Sequence, residues 1–215
     1  MKVLHIVASP RGDASNTLSV SQEFLNGLIA SSDDLTVETV DLFTDDLPMV
    51  AGDNIESKYS IMVGRKIDPA HQESWKHIEA LIDHFLGADL ILISSPMWNL
   101  SIPYALKYYI DCLIQPGYTF GYNEAGVYPM VLGKKMVVVT TRGGDYSPGT
   151  PMHAYDFQEP YMRAIFGFIG ITDIAFINAQ PMDVAPEMRA DALLQAYAEA
   201  KRLAVESATV GTVSV

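Results

Sequence analysis

The stretch that decides the fold is Ala88–Pro103, ADLILISSPMWNLSIP. Its first half, Ala88 to Ser94, is a short apolar run without polar alternation, the pattern of a strand buried on both faces. Its second half turns polar, and a helical pattern from about Pro103 to Ile114 follows. Proline suits the first turn of that helix, because the amide it lacks would be unpaired there. Strand, loop and helix in that order form the repeating unit of a parallel sheet with right-handed crossovers.

The unit recurs in both directions. Val3 to Val7 reads as a buried first strand, followed by the polar stretch SPRGDASNTLS from Ser9 to Ser19. Ser15 or Asn16 caps the next helix, whose apolar face carries Leu18, Phe24, Leu25, Leu28 and Ile29, and which ends within Ser31 to Asp34. Leu35 to Leu42 alternates as a second strand. Phe43 to Asp68 carries little pattern beyond a short helix. A helix over His71 to Phe85 then buries Trp75, Ile78, Leu81, Ile82 and Phe85. After Ile114 comes a long excursion, QPGYTFGYNEAGVYPM, crowded with aromatics and holding three glycines. A strand at Lys134 to Thr140, a glycine-rich loop from Thr141 to Met152 and a helix at Asp156 to Gly167 follow. A strand at Asp173 to Asn178 and a helix at Ala185 to Glu206 complete the chain. The expectation is an α/β, doubly wound three-layer fold. Its five-stranded parallel sheet alternates with five helices, in one domain over residues 1–215.

Composition narrows the function classes. The chain has 215 residues, 49% of them hydrophobic and 19% charged, enough for one substantial core. The formal net charge of -12 argues against nucleic acid as a partner, since it repels phosphate. The single cysteine, Cys112, rules out an intrachain disulfide and a tetracysteine zinc site. Its place among helical apolar residues predicts a buried thiol. The five histidines form no metal-ligand pattern, so no metal is expected. MKVLHIVASP reads as a strand rather than a secretory signal, and no run approaches the roughly 18–20 apolar residues of a membrane helix. The cytoplasm is therefore the expected location, with no membrane partner.

In a doubly wound sheet, ligands bind beyond the carboxyl ends of the strands. Three polar or glycine-rich loops fall there. In the first, Ser9, Arg11, Ser15 and Asn16 precede a helix start. Such a loop can hold a phosphate or simply cap the helix. It matches neither GxGxxG nor the Walker pattern. In the second, Pro96, Met97, Trp98 and Asn99 offer large apolar surfaces and an amide to a flat ring, or else pack a turn. In the third, Thr141, Arg142, Gly143 and Gly144, followed by Tyr146, let backbone amides approach a planar ligand, or merely form a glycine turn with Arg142 on the surface. No GxSxG elbow points to hydrolysis.

Taken together, SPRGDASNTLS, SSPMWNLSIPYALKYYIDCL, PGYTFGY, GKKMVVVTTRGG and FGFIGITDI are highly specific in this order and separation. The chain resembles the FMN-dependent NADH-azoreductases, also described as FMN-dependent NADH:quinone oxidoreductases, of the flavodoxin-like superfamily. The resemblance runs over nearly the whole chain. It implies a flavodoxin-like fold, bound FMN, NADH as donor, quinones or azo compounds as acceptors, and a homodimer. By that resemblance Ser9, Arg11, Ser15 and Asn16 surround the FMN phosphate. Pro96, Met97, Trp98 and Asn99 lie along the isoalloxazine. Thr141, Arg142, Gly143 and Gly144 approach its polar edge, with Tyr146 nearby. Tyr122 and Phe168 line the substrate side, partly across subunits. Asn99, Gly143 and Gly144 are the candidates for tuning the ring, and no protein nucleophile is required. Rival readings are an NADPH-dependent reductase of flavins, quinones or metals, a flavodoxin-type electron carrier, and a protein that kept the fold but lost the cofactor.

Overall fold

The computed structural model describes residues 1–32 and 34–210, apart from the side chains of 209 and 210. The elements are β1 (Lys2–Val7), α1 (Asn16–Ser31), β2 (Thr36–Asp41), α2 (Asp53–Met62), α3 (Gln72–Leu86), β3 (Leu90–Ser94) and α4 (Tyr104–Leu113). They continue as β4 (Phe120–Asn123), β5 (Gly126–Pro129), β6 (Lys135–Thr141), α5 (Glu159–Ile169), β7 (Asp173–Ala179) and α6 (Pro186–Val210). Five strands form one parallel sheet in the order β2-β1-β3-β6-β7.

Alternation within the strands builds two cores. Leu4, Ile6, Ile91, Ile93 and Val138 face α3, α4 and α5, where they meet Trp75, Ile82, Leu106 and Phe166. Val3, Leu92, Val137 and Val139 face α1 and α6, where they meet Val20, Phe24, Leu28, Ala196 and Ala200. Both faces are thus covered, as near-continuous apolar strands require. No helix among the described residues is long and apolar enough to cross a membrane.

The strand ends set up the site. Val7 pairs with Ser94, Ser94 with Val139, and Val139 with Ile177, so the chain leaves β1, β3, β6 and β7 at one carboxyl edge.

Four local expectations are corrected. The aromatic excursion contains an antiparallel hairpin of its own, β4–β5, so the chain has strands outside the main sheet. Ile29 is 57% exposed, because the inward row of α1 runs through Thr17, Val20, Ser21, Phe24, Leu25 and Leu28 and leaves residue 29 one step past it. Pro103 stands just outside α4 in an extended conformation rather than in its first turn. The helix expected from Asp156 begins at Glu159. The Asp156 carboxylate accepts the amides of Gln158 (3.0 Å) and Glu159 (3.1 Å), making the preceding residues a capping turn.

Candidate functional site

The first loop is shaped by hydroxyls. Ser15 is the N-cap of α1, its Oγ accepting the Leu18 amide at 3.2 Å, and the same Oγ lies 2.7 Å from Ser9 Oγ. Gly12, at φ +50°, lets the chain make one tight turn before the helix. The amides of Asn16 and Thr17 have no partner among the described residues. They form the positive end of a 16-residue helix, an arrangement suited to an anion.

The second loop is a two-residue turn closed in both directions. Trp98 N donates to Ser101 O at 2.9 Å, and Ser101 N donates to Trp98 O at 3.0 Å. The turn places Asn99 (φ 48°) and Leu100 (φ 70°) in the left-handed region. That conformation costs a branched residue about 1–2 kcal/mol. The amide of Phe157 holds it by donating to Leu100 O at 3.0 Å. Trp98 packs at a tilt against Phe43 and Tyr104.

The third loop is tied to the other two. Thr141 Oγ1 lies 2.7 Å from Thr17 Oγ1, and Thr141 O accepts the Met97 amide at 2.9 Å. Gly143 O accepts the amides of Met182 (3.1 Å) and Asp183 (3.0 Å), which draws in the chain after β7. The amides of Gly143 and Gly144 have no partner among the described residues.

These segments enclose a cleft of about 260 Å³. Of the residues singled out in the sequence, Ser9, Arg11, Ser15 and Asn16 line it from the first loop. Pro96, Met97 and Trp98 line it from the second, and Thr141, Arg142 and Gly143 from the third. Thr17, the end of the first loop, also lines it, as do Met182 and Asp183, which escaped the sequence reading. The last two follow a strand, so the carboxyl-edge rule itself could have found them.

The remaining expected residues lie elsewhere. Asn99 lines an adjoining hollow of about 480 Å³ with Tyr104, Lys107 and Tyr161, sharing Trp98 with the cleft. Gly144 is set back with Tyr146, whose ring would be 3.5 Å from a Cβ there and which is only 7% exposed. Tyr122 and Phe168 are exposed and flank Phe120, with ring centroids 5.7 and 5.0 Å from it. Neither lines the cleft. Phe168 is nine residues beyond the start of α5, which places it about 14 Å along the helix from the carboxyl edge.

Arg142 is not a surface residue. Its side chain is 1% exposed, donates to Asp156 Oδ2 at 2.9 Å, and lies 3.6 Å from Glu159 Oε2. Burial lowers its pKa, opposed by those two carboxylates. Beneath the cleft, His5 Nε2 lies 2.7 Å from Ser94 Oγ, which lies 2.5 Å from Ser21 Oγ. Ser21 in turn donates to Thr17 O at 3.0 Å. Burial lowers the His5 pKa to about 4. Cys112 is buried as expected, its thiol pushed up to about 12 by burial first and Asp111 second.

Two larger hollows, of about 530 and 610 Å³, lie on either side of Asp45–Leu47 against α3 and α4. Neither has a glycine loop in its lining, so size does not mark the site here.

The profile of a flavodoxin-like-fold family matches residues 1–204. The FMN-dependent NADH:quinone oxidoreductase of Nitratidesulfovibrio vulgaris is 37% identical over 209 residues, covering 95% of this chain and 98% of that protein. FMN-dependent NADH:quinone oxidoreductase 2 of Trichormus variabilis is 39% identical over 195 residues, covering 90% and 93%. Among solved structures, an FMN-dependent NADH-azoreductase from Bacillus anthracis in complex with FMN superposes with a TM-score of 0.86. It is 27% identical, and the match covers 96% of this chain and 99% of that one.

Proposed function

The chain belongs to the flavodoxin-like family that includes the FMN-dependent NADH:quinone oxidoreductases, and from that premise we propose that it is an FMN-dependent oxidoreductase. It takes two electrons from NADH and gives them to quinones or aromatic azo compounds. One observation carries the reading. A helix start suited to an anion and the Gly143 edge, their amides without partners among the described residues, meet in one cleft, with a flat apolar wall between them. Those are the needs of a cofactor that is phosphate at one end and a polar-edged ring at the other.

The residues divide the work accordingly. Ser9 and Ser15 offer hydroxyls, Asn16 and Thr17 offer amides, and Arg11 offers a cation for the phosphate. Pro96, Met97 and Trp98 support the ring, with Asn99 at its rim. Gly143 gives the closest backbone approach, and Gly144 offers the next amide. Such preorganised donors stabilise negative charge that develops on the ring. Tyr146 backs Gly144, and Arg142 frames the loop from behind. When bound, FMN supplies the two-electron chemistry itself, so the protein needs no nucleophile.

Tyr122 and Phe168 are too far along the molecule to serve the cleft of their own chain. That placement supports a homodimer in which they line the acceptor side of the partner's cleft. We also read the chain as one domain that acts in the cytoplasm. Anaerobic titration of the purified yellow protein with NADH, then a quinone or an azo dye, tests donor, cofactor and acceptor together. One equivalent of NADH should bleach the flavin, and either acceptor should restore it. A colourless protein that does not take up FMN, or a bleached one that neither acceptor reoxidises, would sink the reading.

A further inference from the structure

A sealed polar cluster lies behind the second and third loops. Gln158 is fully buried and uses both ends of its amide. Its Nε2 donates to Ser95 O (3.2 Å) and Pro96 O (3.1 Å), at the root of the second loop. Its Oε1 accepts from Arg142 Nε at 3.2 Å, in the third loop. Arg142 is fixed in turn, Nε donating to Thr140 Oγ1 at 3.0 Å and Nη1 to Asp156 Oδ2 at 2.9 Å. Its Nη2 is enclosed and makes no hydrogen bond among the described residues. A guanidinium so enclosed cannot reach a ligand in the cleft, so its cation serves the interior.

We propose that Gln158, oriented by Arg142, is a positioning residue that sets the spacing between the Pro96–Trp98 and Thr141–Gly144 loops and so the grip on the flavin ring. The inference rests on the FMN reading above. The side chain has to be an amide. Two backbone carbonyls on one side require a donor, and the Arg142 Nε–H on the other requires an acceptor. A carboxylate would set negative charge against the Ser95 and Pro96 carbonyls. A methionine fills the space and satisfies neither side. The Met97 amide to Thr141 O is a further tie across the same gap, and without the Gln158 bridge the loops hold a wider range of separations.

The test compares Gln158→Met and Gln158→Glu with Arg142→Lys and with Ile82→Ala. Ile82 is a fully buried residue of α3 outside the cleft. For each protein, FMN is removed and rebound in a fluorescence titration, visible circular dichroism of the bound flavin is recorded, and the urea midpoint is measured. Both Gln158 variants should bind FMN at least ~10-fold more weakly, the size of one lost buried hydrogen bond, with altered flavin dichroism. Arg142→Lys should fall between them and the parent. Ile82→Ala should lower the urea midpoint yet keep parental affinity and dichroism. The proposal is overturned if the Gln158 variants keep parental values, or if affinity simply follows the urea midpoint across all four. Failure of the parent to bind FMN would overturn the functional reading as well, and it would be seen before any variant is compared.

Discussion

Lowering the pH should unfold this protein earlier than its carboxylates alone would, and His5 is the reason. Its ring is 7% exposed in the middle of β1, and its hydrogen-bond partner, Ser94 Oγ, is uncharged. Burial depresses its pKa from 6.5 to about 4. The folded state therefore keeps the ring neutral, while the unfolded chain takes up a proton below its ordinary value. Stability is complete above about pH 6.5 and is lost as the pH falls towards 4. Full development of this shift amounts to about 3 kcal/mol. Relative to pH 7.5, the loss is about 1 kcal/mol at pH 5.5 and about 2–3 kcal/mol at pH 4.5. Urea unfolding of the parent and of His5→Gln over this range measures it. The variant starts less stable, because the Ser94 contact changes, but its curve should be flatter by those amounts. Parallel curves between pH 7.5 and 5 would refute the argument, since the carboxylate contribution is common to both proteins.

Three other outcomes are expected. Gly143→Val puts its Cβ 2.9 Å from Asp183 Oδ2, whose side chain is 73% exposed and free to yield. Stability should change by less than about 1 kcal/mol, while FMN affinity in a fluorescence titration falls at least ~10-fold; parental affinity would remove Gly143 from the site. Arg11 has no ion-pair partner among the described residues. Arg11→Ala should speed FMN release by roughly 5- to 10-fold at low salt and by less as salt rises, and an unchanged release rate at moderate salt would end its phosphate role. Gly170 closes α5 at φ 112°, and a Cβ there would lie 2.7 Å from Val131 O. Gly170→Ala should cost about 2 kcal/mol, lowering Tm by about 4–8 °C with FMN affinity unaltered; a parental melting curve would contradict the steric reading.

The sheet was legible because its three central strands are apolar on both faces. ADLILIS has no other comfortable home than a covered parallel strand. The loops were legible by position, since each follows such a strand. The β4–β5 hairpin was not. Its outer residues are exposed, its turn is Glu124–Ala125 rather than a glycine pair, and its pairing is confined to itself. The burial of Arg142 was invisible for a different reason. It depends on Asp156 and Gln158, 14 and 16 residues away, arriving through a capping turn that local pattern does not announce. Met182 and Asp183 were missed because the loop after the last strand lacks the glycine and serine punctuation of the others. Tyr122 and Phe168 were singled out by resemblance alone, and nothing in periodicity sets them apart from ordinary exposed aromatics.

The bond between Thr17 and Thr141 joins positions 124 residues apart. Closing so long a loop is among the costlier steps in the entropy of folding, and the cleft exists only once it is made. No nascent fragment that lacks β6 can carry the site, whatever its helices have already formed. Cofactor uptake therefore stabilises the completed chain and not a fragment of it. A ligand at 100 times its Kd adds about 2.7 kcal/mol to the finished chain and nothing to an unfinished one. In a cell short of flavin, this protein should be cleared by proteases sooner, and its abundance should report the vitamin supply.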